Sequence, residues 1–298
     1  MGKALAEAFP AARAVFDEVD AALGEKLSAI MWEGPADQLT LTENTQPALL
    51  AHSLAVMRVL ETETGLDLTR DVRYVAGHSL GEYSALAAAG AFTITDAAKL
   101  VRIRGRAMQT AVPVGQGAMA AILGLDSAAV KEIAAAATQG EVCQAANDNA
   151  PGQIVVSGNK SAVERAVEIA RGRGARAMML PVSAPFHCSL MQPAADVMRD
   201  ALAKVKVSAP KVPVIPNVIA NPVNDPEEIV NSLVAQVTGT VRWRECVEYL
   251  VNHGIDRLVE VGSGKVLTGL AKRIAKEATA LSIGTPDDIA AFKAQNGA

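Results

Sequence analysis

The run Gly77-His78-Ser79-Leu80-Gly81 fits G-x-S-x-G, and the chemistry of that pattern is nucleophilic attack by a serine hydroxyl. Such a serine sits on a sharp turn between a strand and a helix, with its Oγ standing clear of the sheet. The flanks suit the turn: Val72-Arg73-Tyr74-Val75-Ala76 reads as a short strand, and Glu82 to Ala89 is alanine-rich and helical. Glycines on both sides of Ser79 would let the two backbones approach without a Cβ clash. The N–H of Leu80, free at the helix start, could stabilise an oxyanion. In a chain with 23 glycines the pentapeptide alone is a weak signal, and a tight turn whose serine caps a helix fits it too. The strand-turn-helix context favours the nucleophile.

A serine nucleophile needs a base, and the chain has 4 histidines. His78 is inside the turn, and its backbone direction carries it away from Ser79. His52, near Ala51 and Leu54 in an amphipathic helix, reads as a packed or half-exposed residue. His253 precedes Gly254 at a helix C-terminus, where the dipole favours a histidine. His187 ends the loop Ser183-Ala184-Pro185-Phe186-His187, directly after a strand, where catalytic groups gather in α/β sheets. Elimination points to His187 as the base; its alternative is a loop histidine bonded to nearby backbone.

Arg104 lies on an apolar stripe formed by Ala97, Leu100, Val101, Ala107 and Met108, while Arg102 and Arg106 point elsewhere. A guanidinium facing the core needs an anion or several acceptors. A structural carboxylate would satisfy it, and so would a substrate carboxylate held in a fork. Gly262-Ser263-Gly264, between a strand and a helix, could pass for a phosphate loop but lacks the full pattern, and a tight structural turn is the expected reading.

These residues are positioned by alternating strands and helices, which predict a largely parallel α/β sheet. Helices are expected over residues 4–23, 46–64 and about 95–111, the second opened by Thr45-Gln46-Pro47. Residues 115–182 have their own β-α-β-β-α-β rhythm, the ferredoxin-like order, and are expected to form a small subdomain inserted in the larger one. Within it Asp126 is a plausible N-cap for a helix over 127–138, and strands at 142–146 and 154–157 flank the turn-rich run 147–152. Beyond it come helices at 192–205, 227–236, 244–252 and 265–276, with strands at 212–218 and 257–261.

Composition narrows the field. At 298 residues the chain is long enough to bury roughly three quarters of its unfolded surface. A net charge of −4 with interspersed signs implies no polyanion-binding surface, so nucleic acid is not an expected partner. Cys143, Cys188 and Cys246 are too scattered for a zinc site, and their odd count argues against a disulfide framework. With no signal-like start and no 18-residue apolar run, no membrane association is expected and the cytoplasm is the default.

Taken together, the segments resemble the malonyl-CoA:acyl-carrier-protein transacylases of bacterial type II fatty acid synthesis. Gly-His-Ser-Leu-Gly-Glu-Tyr-Ser-Ala-Leu at 77–86 is similar to their nucleophile segment, and Thr45-Gln46-Pro47-Ala48 to their upstream helix motif. Val101 to Gln109 is similar to their arginine helix. Asn149-Ala150-Pro151-Gly152-Gln153, Pro185-Phe186-His187-Cys188 and Glu260 to Leu267 match further segments, in order along nearly the whole chain. The resemblance implies an α/β-hydrolase-like domain, residues 1–114 and 183–298, carrying a ferredoxin-like subdomain at 115–182. It implies Ser79 as nucleophile, His187 as base, the Leu80 N–H as oxyanion donor, and the Gln236 backbone carbonyl as the group that orients the histidine. Arg104 would anchor the malonyl carboxylate, with Gln46, Met108 and Phe186 as further substrate-binding positions. The implied reaction is ping-pong transfer of malonyl from malonyl-CoA, through a malonyl-serine, to the phosphopantetheine thiol of acyl carrier protein. No cofactor or metal is implied, and a monomer is expected.

One departure stands out: the family usually begins with a strand and a Gly-Gln-Gly-Ser-Gln segment whose glutamine N–H joins the oxyanion hole, whereas this chain opens at Met1-Gly2-Lys3 in the following helix. Loss of one oxyanion donor typically costs roughly 10²–10³ in rate, and a missing strand exposes a sheet edge. The start is therefore expected to be internal to a longer natural chain, leaving this one folded but weakly active. Rival readings remain: an esterase or thioesterase indifferent to Arg104, a scaffold that docks carrier protein without forming an acyl-serine, and a methylmalonyl-selective transferase, which Phe186 disfavours.

Overall fold

The computed structural model describes residues 1–182 and 184–296; Ser183, which opens the histidine loop, lies outside the described residues, as do Gly297 and Ala298. Among the described residues eight strands form a mixed α/β arrangement of parallel and antiparallel sheets. β1 (Val75–Ala76) pairs in parallel with β6 (Val214–Ile215), and β7 (Arg257–Val261) in parallel with β8 (Thr279–Ile283). β2 (Gly117–Leu123), β3 (Cys143–Ala150), β4 (Gln153–Asn159) and β5 (Arg176–Met179) form an antiparallel sheet in the order β3-β4-β2-β5. Outside residues 115–182 the strand pairs are parallel, as the alternation predicts, but they form two separate pairs and not one sheet; the antiparallel sheet lies within residues 115–182. The tight Pro151-Gly152 turn between β3 and β4, with Gly152 at φ 67°, can join only antiparallel neighbours.

Helices Ser127–Thr138 and Lys160–Gly172 cover the antiparallel sheet, burying Ile122, Val130, Ile133, Val156 and Val163 between them. Asp126 caps the first of these by accepting from the Ala129 N–H, as its position predicts. A second core gathers Val15, Phe16, Leu50, Val59, Leu100, Met108 and Met198 from helices Pro10–Leu23, Thr42–Thr64, Ile94–Thr110 and Gln192–Leu202. The helix expected over residues 4–23 is two, Lys3–Ala8 and Pro10–Leu23. Pro10 cannot continue a helix, but it costs nothing as the first residue of the next. The turn-rich run after Ala146 is also different: Asn147, Asp148, Asn149 and Ala150 continue β3. Their polar side chains find partners that fix them in extended backbone, Asp148 on Arg244 at 2.9 Å and Asn149 on His78 at 2.8 Å. Among the described residues no helix is long and apolar enough to cross a membrane.

Candidate active site

The strand-to-helix turn is built around one glycine. A Cβ on Gly77 would lie 2.0 Å from the Gly81 carbonyl, so strand end and helix start meet at a distance only hydrogen allows. Gly81 has open space around it, so the close approach does not depend on both glycines, as the sequence had suggested. Ser79 takes the left-handed backbone (φ 53°) that presents its Oγ at the apex. The parallel pairing of Ala76 with Ile215 then carries Asn217 alongside the turn. The Ser79 N–H donates to Asn217 Oδ1 at 2.7 Å, and Asn217 Nδ2 donates to the Gly77 carbonyl at 2.7 Å. The Leu80 N–H makes no hydrogen bond among the described residues.

His187, also left-handed (φ 59°), lies with Nε2 2.8 Å from Ser79 Oγ and Nδ1 2.9 Å from the backbone carbonyl of Gln236. A carbonyl only accepts, so Nδ1 carries the hydrogen and Nε2 is left to accept from the Ser79 hydroxyl. Burial, reinforced by the Arg104 charge, pushes the imidazole's pKa down to about 3. The ring is therefore neutral, the form a general base requires.

Arg104 reaches the same oxygen. Its helix, Ile94–Thr110, packs on helix Thr42–Thr64 at Gly105, where a Cβ would stand 2.6 Å from Glu43 Cα. That contact brings Gln46 Oε1 to 2.8 Å from the guanidinium, which also donates to Gln236 Oε1 at 2.9 Å and to Ser79 Oγ at 3.0 Å. The side chain is 1% exposed, and all three acceptors are neutral. Neither of its neighbours competes: Arg102 pairs with Glu25 and Asn44, and Arg106 with Glu43. Gln46 Nε2 is turned toward Thr42 Oγ1 and, at 3.9 Å, Met108 Sδ. Gln46 and Met108 are both buried, and of the two it is Gln46 that bonds the guanidinium. Phe186 is half-buried next to His187, packed against the cluster of Met119, Ala146 and Val155.

The remaining histidines lie elsewhere. His78 Nε2 donates to Asn149 Oδ1 at 2.8 Å, joining the turn to the end of β3. His52 is buried with Nε2 on the Gly284 carbonyl, and exposed His253 bonds to the Tyr249 carbonyl at its helix end. After the Gly262-Ser263-Gly264 turn, Glu260 occupies the first helical turn by accepting from the Leu267 and Thr268 N–H groups at 3.1 and 2.7 Å. Two site residues escaped the sequence reading. Asn217 follows a two-residue strand in a proline-rich stretch, and Glu82 reads as an ordinary acid in a first helical turn; only their burial marks them, at 0% and 1% exposure.

A hydroxyl bonded to a neutral, carbonyl-oriented imidazole and to a buried guanidinium is arranged to attack a carbonyl on a substrate that carries an anion. The acyl transferase domain family matches residues 1–288. The chain belongs to that family. It is 46% identical over 288 residues to the malonyl CoA-acyl carrier protein transacylase of Escherichia coli (strain K12), covering 96% of this chain and 92% of the relative. The acyl-carrier-protein-S-malonyltransferase of Bartonella henselae superimposes with a TM-score of 0.97 at 58% identity, covering 100% of this chain and 95% of that one. A malonyl-transacylase solved in complex with a type II PKS acyl-carrier protein is 41% identical with a TM-score of 0.95, covering 99% of this chain and 95% of that one.

Proposed function

We propose that this acyltransferase moves the malonyl group of malonyl-CoA to the phosphopantetheine thiol of acyl carrier protein, in fatty acid biosynthesis. The observation that carries the reading is a single oxygen, Ser79 Oγ, within hydrogen-bond reach of both the His187 base and the Arg104 cation. As Ser79 Oγ attacks the thioester carbon, its proton passes to His187 Nε2, and the Leu80 N–H receives the oxyanion. The C–S bond breaks, the imidazolium returns the proton to the CoA sulfur, and a malonyl ester remains on Ser79. The carrier thiol then gives its proton to His187 and attacks that ester, and Ser79 leaves with the proton restored. Arg104 swings from Ser79 Oγ onto the substrate carboxylate, so an acetyl thioester would leave a buried cation unpaired. Serine and histidine supply the chemistry, and the reaction calls for no metal or cofactor.

The fold fits this reading. Residues 115–182 are taken as a ferredoxin-like subdomain, supported by the β-α-β-β-α-β element order and the antiparallel order β3-β4-β2-β5. Residues 1–114 and 183–298 are taken as the α/β-hydrolase-like domain, supported by the strand-turn-helix at Ser79. We place the enzyme in the cytoplasm as a monomer, with acyl carrier protein as its partner and neither nucleic acid nor membrane.

The test is intact-protein mass spectrometry after brief exposure to malonyl-CoA, followed by a chase with holo acyl carrier protein. A malonyl adduct on the wild type, missing from Ser79→Ala and discharged by the carrier, is the expected result. Turnover to free malonate without discharge to the carrier would make the protein a thioesterase instead.

A further inference from the structure

The turn that holds Ser79 and the clamp that holds Arg104 converge on one atom that the chemistry above does not use. Glu82 Oε2, in the first turn of helix Gly81–Ala88, accepts from the Asn217 backbone N–H at 2.8 Å and from Gln236 Nε2 at 2.9 Å. Each donor leads to a different part of the site. Asn217 grips the turn through the Ser79 N–H and the Gly77 carbonyl. Gln236 presents Oε1 to Arg104 and, from the same Nε2, also donates to the Ser79 carbonyl at 3.0 Å. The Gln236 amide lies between a group that only donates and a carboxylate oxygen that accepts, so one of its two orientations is selected. Its main-chain carbonyl separately orients His187.

A carboxylate with 1% exposure is costly to bury, and burial pushes its pKa up to about 7 against the pull of its two donors and of Arg104. No salt bridge to it is found among the described residues. A glutamine, leucine or methionine would fill the space at less electrostatic expense.

We infer that Glu82 is a positioning residue of the acyl-transfer site, a single acceptor that sets the side-chain amide of Gln236 behind Arg104 and the backbone of Asn217 beside Ser79. It thereby couples acyl selectivity to nucleophile geometry. The inference rests on the reading of Arg104 as the anchor of the malonyl carboxylate. Loss of the Asn217 connection disturbs Ser79 and slows every acyl donor alike. Loss of the Gln236 connection loosens Arg104 and penalises donors with a carboxylate most, because the amide keeps its bond to the Ser79 carbonyl. The His187–Gln236 bond runs through the main chain and is retained.

The experiment measures rapid-quench acylation rates with malonyl-CoA and acetyl-CoA for the full chain and for Glu82→Ala, Glu82→Gln and Arg104→Ala, with thermal melting of each. Misplacement by about 1 Å can cost about 100-fold, so Glu82→Ala is expected to slow malonylation by about that factor. Its acetylation should slow only about 10-fold, which narrows the malonyl-to-acetyl ratio about 10-fold. Glu82→Gln, whose amide oxygen can take both donors, should restore the ratio to within about threefold of wild type. A folded Glu82→Ala with the wild-type ratio overturns the inference, as does a Glu82→Gln that behaves like Glu82→Ala. Should Glu82→Ala not fold, the similarly sized Glu82→Met takes its place under the same criteria; if that also fails to fold, Glu82 serves the fold and the inference is overturned. Arg104→Ala reports separately on the underlying reading: an unchanged ratio there sinks the role of Arg104, whatever Glu82 does.

Discussion

Replacing Arg104 by alanine tests the origin of acyl selectivity. The guanidinium is 1% exposed, donates to three neutral oxygens, and forms no ion pair among the described residues. On the proposed reading an incoming carboxylate therefore meets a full positive charge at a buried guanidinium. Truncating one partner of such a buried, hydrogen-bonded charge pair costs about 2–5 kcal/mol. At about 1.36 kcal/mol per factor of ten, kcat/KM for malonyl-CoA should fall by about 30- to 5,000-fold. Acetyl-CoA never used the charge, so its kcat/KM should hold or rise. The assay is acylation of Ser79 by each thioester, followed by quenched intact mass over a range of concentrations. Thermal melting guards against an unfolded variant, since Gln46 Oε1 and Gln236 Oε1 both lose a donor. A folded Arg104→Ala whose malonyl kcat/KM stays within about threefold of wild type would refute the assignment.

Two further expectations follow from the turn and the base. Gly77→Ala forces a Cβ to 2.0 Å from the Gly81 carbonyl, where both sides are backbone and neither can rotate away. It should lower the melting temperature and cut acylation by about 100-fold or more, while Gly81→Ala, facing open space, keeps both near wild type; similar damage from the two would contradict the geometry. The depressed pKa of His187, about 3, keeps the base unprotonated well below the ordinary histidine range, so the acid limb of activity moves down. The acylation rate of folded enzyme should stay level from about pH 8 to pH 5, whereas an ordinary histidine would lose activity below about 6.5. Stability follows a different course, because His52, His78 and His187 are all depressed by burial. Their contribution is present above the unfolded pKa of about 6.5 and is lost as pH falls toward the folded values. Melting temperature should therefore drop over the range where the rate stays flat, and a rate inflection near pH 6.5 would count against the buried neutral base.

Much of the candidate site could be read from local sequence, because the residues that meet there break local rules. A serine between glycines, a histidine in a loop after a strand and an arginine on an apolar stripe are each anomalous where they stand. Gln236 was legible only through family resemblance, since nothing in Leu233-Val234-Ala235-Gln236 signals that its main chain faces a histidine. Asn217 and Glu82 escaped because their neighbourhoods are unremarkable, and their importance arises from the β1–β6 pairing. Helices with strong periodicity, such as 127–138, were placed closely. Strand limits were less legible: residues 72–76 and 212–218 each contribute only two paired residues, β1 and β6. The parallel pair β7–β8 was half-read: a strand at 257–261 was expected, whereas β8, although Gly284-Thr285-Pro286 follows it, was not.

The wiring around Ser79 spans long distances along the chain. Its partners lie 25, 108, 138 and 157 residues away, in Arg104, His187, Asn217 and Gln236. Closing such contacts carries the loop entropy of most of the molecule, so they form only after local helices and hairpins are in place. During refolding, helical circular dichroism should thus recover ahead of the capacity to take up an acyl group. A preparation can look native by its secondary structure while its serine is still unreactive. The fraction of chains that acylate is accordingly the stricter count of correctly folded molecules.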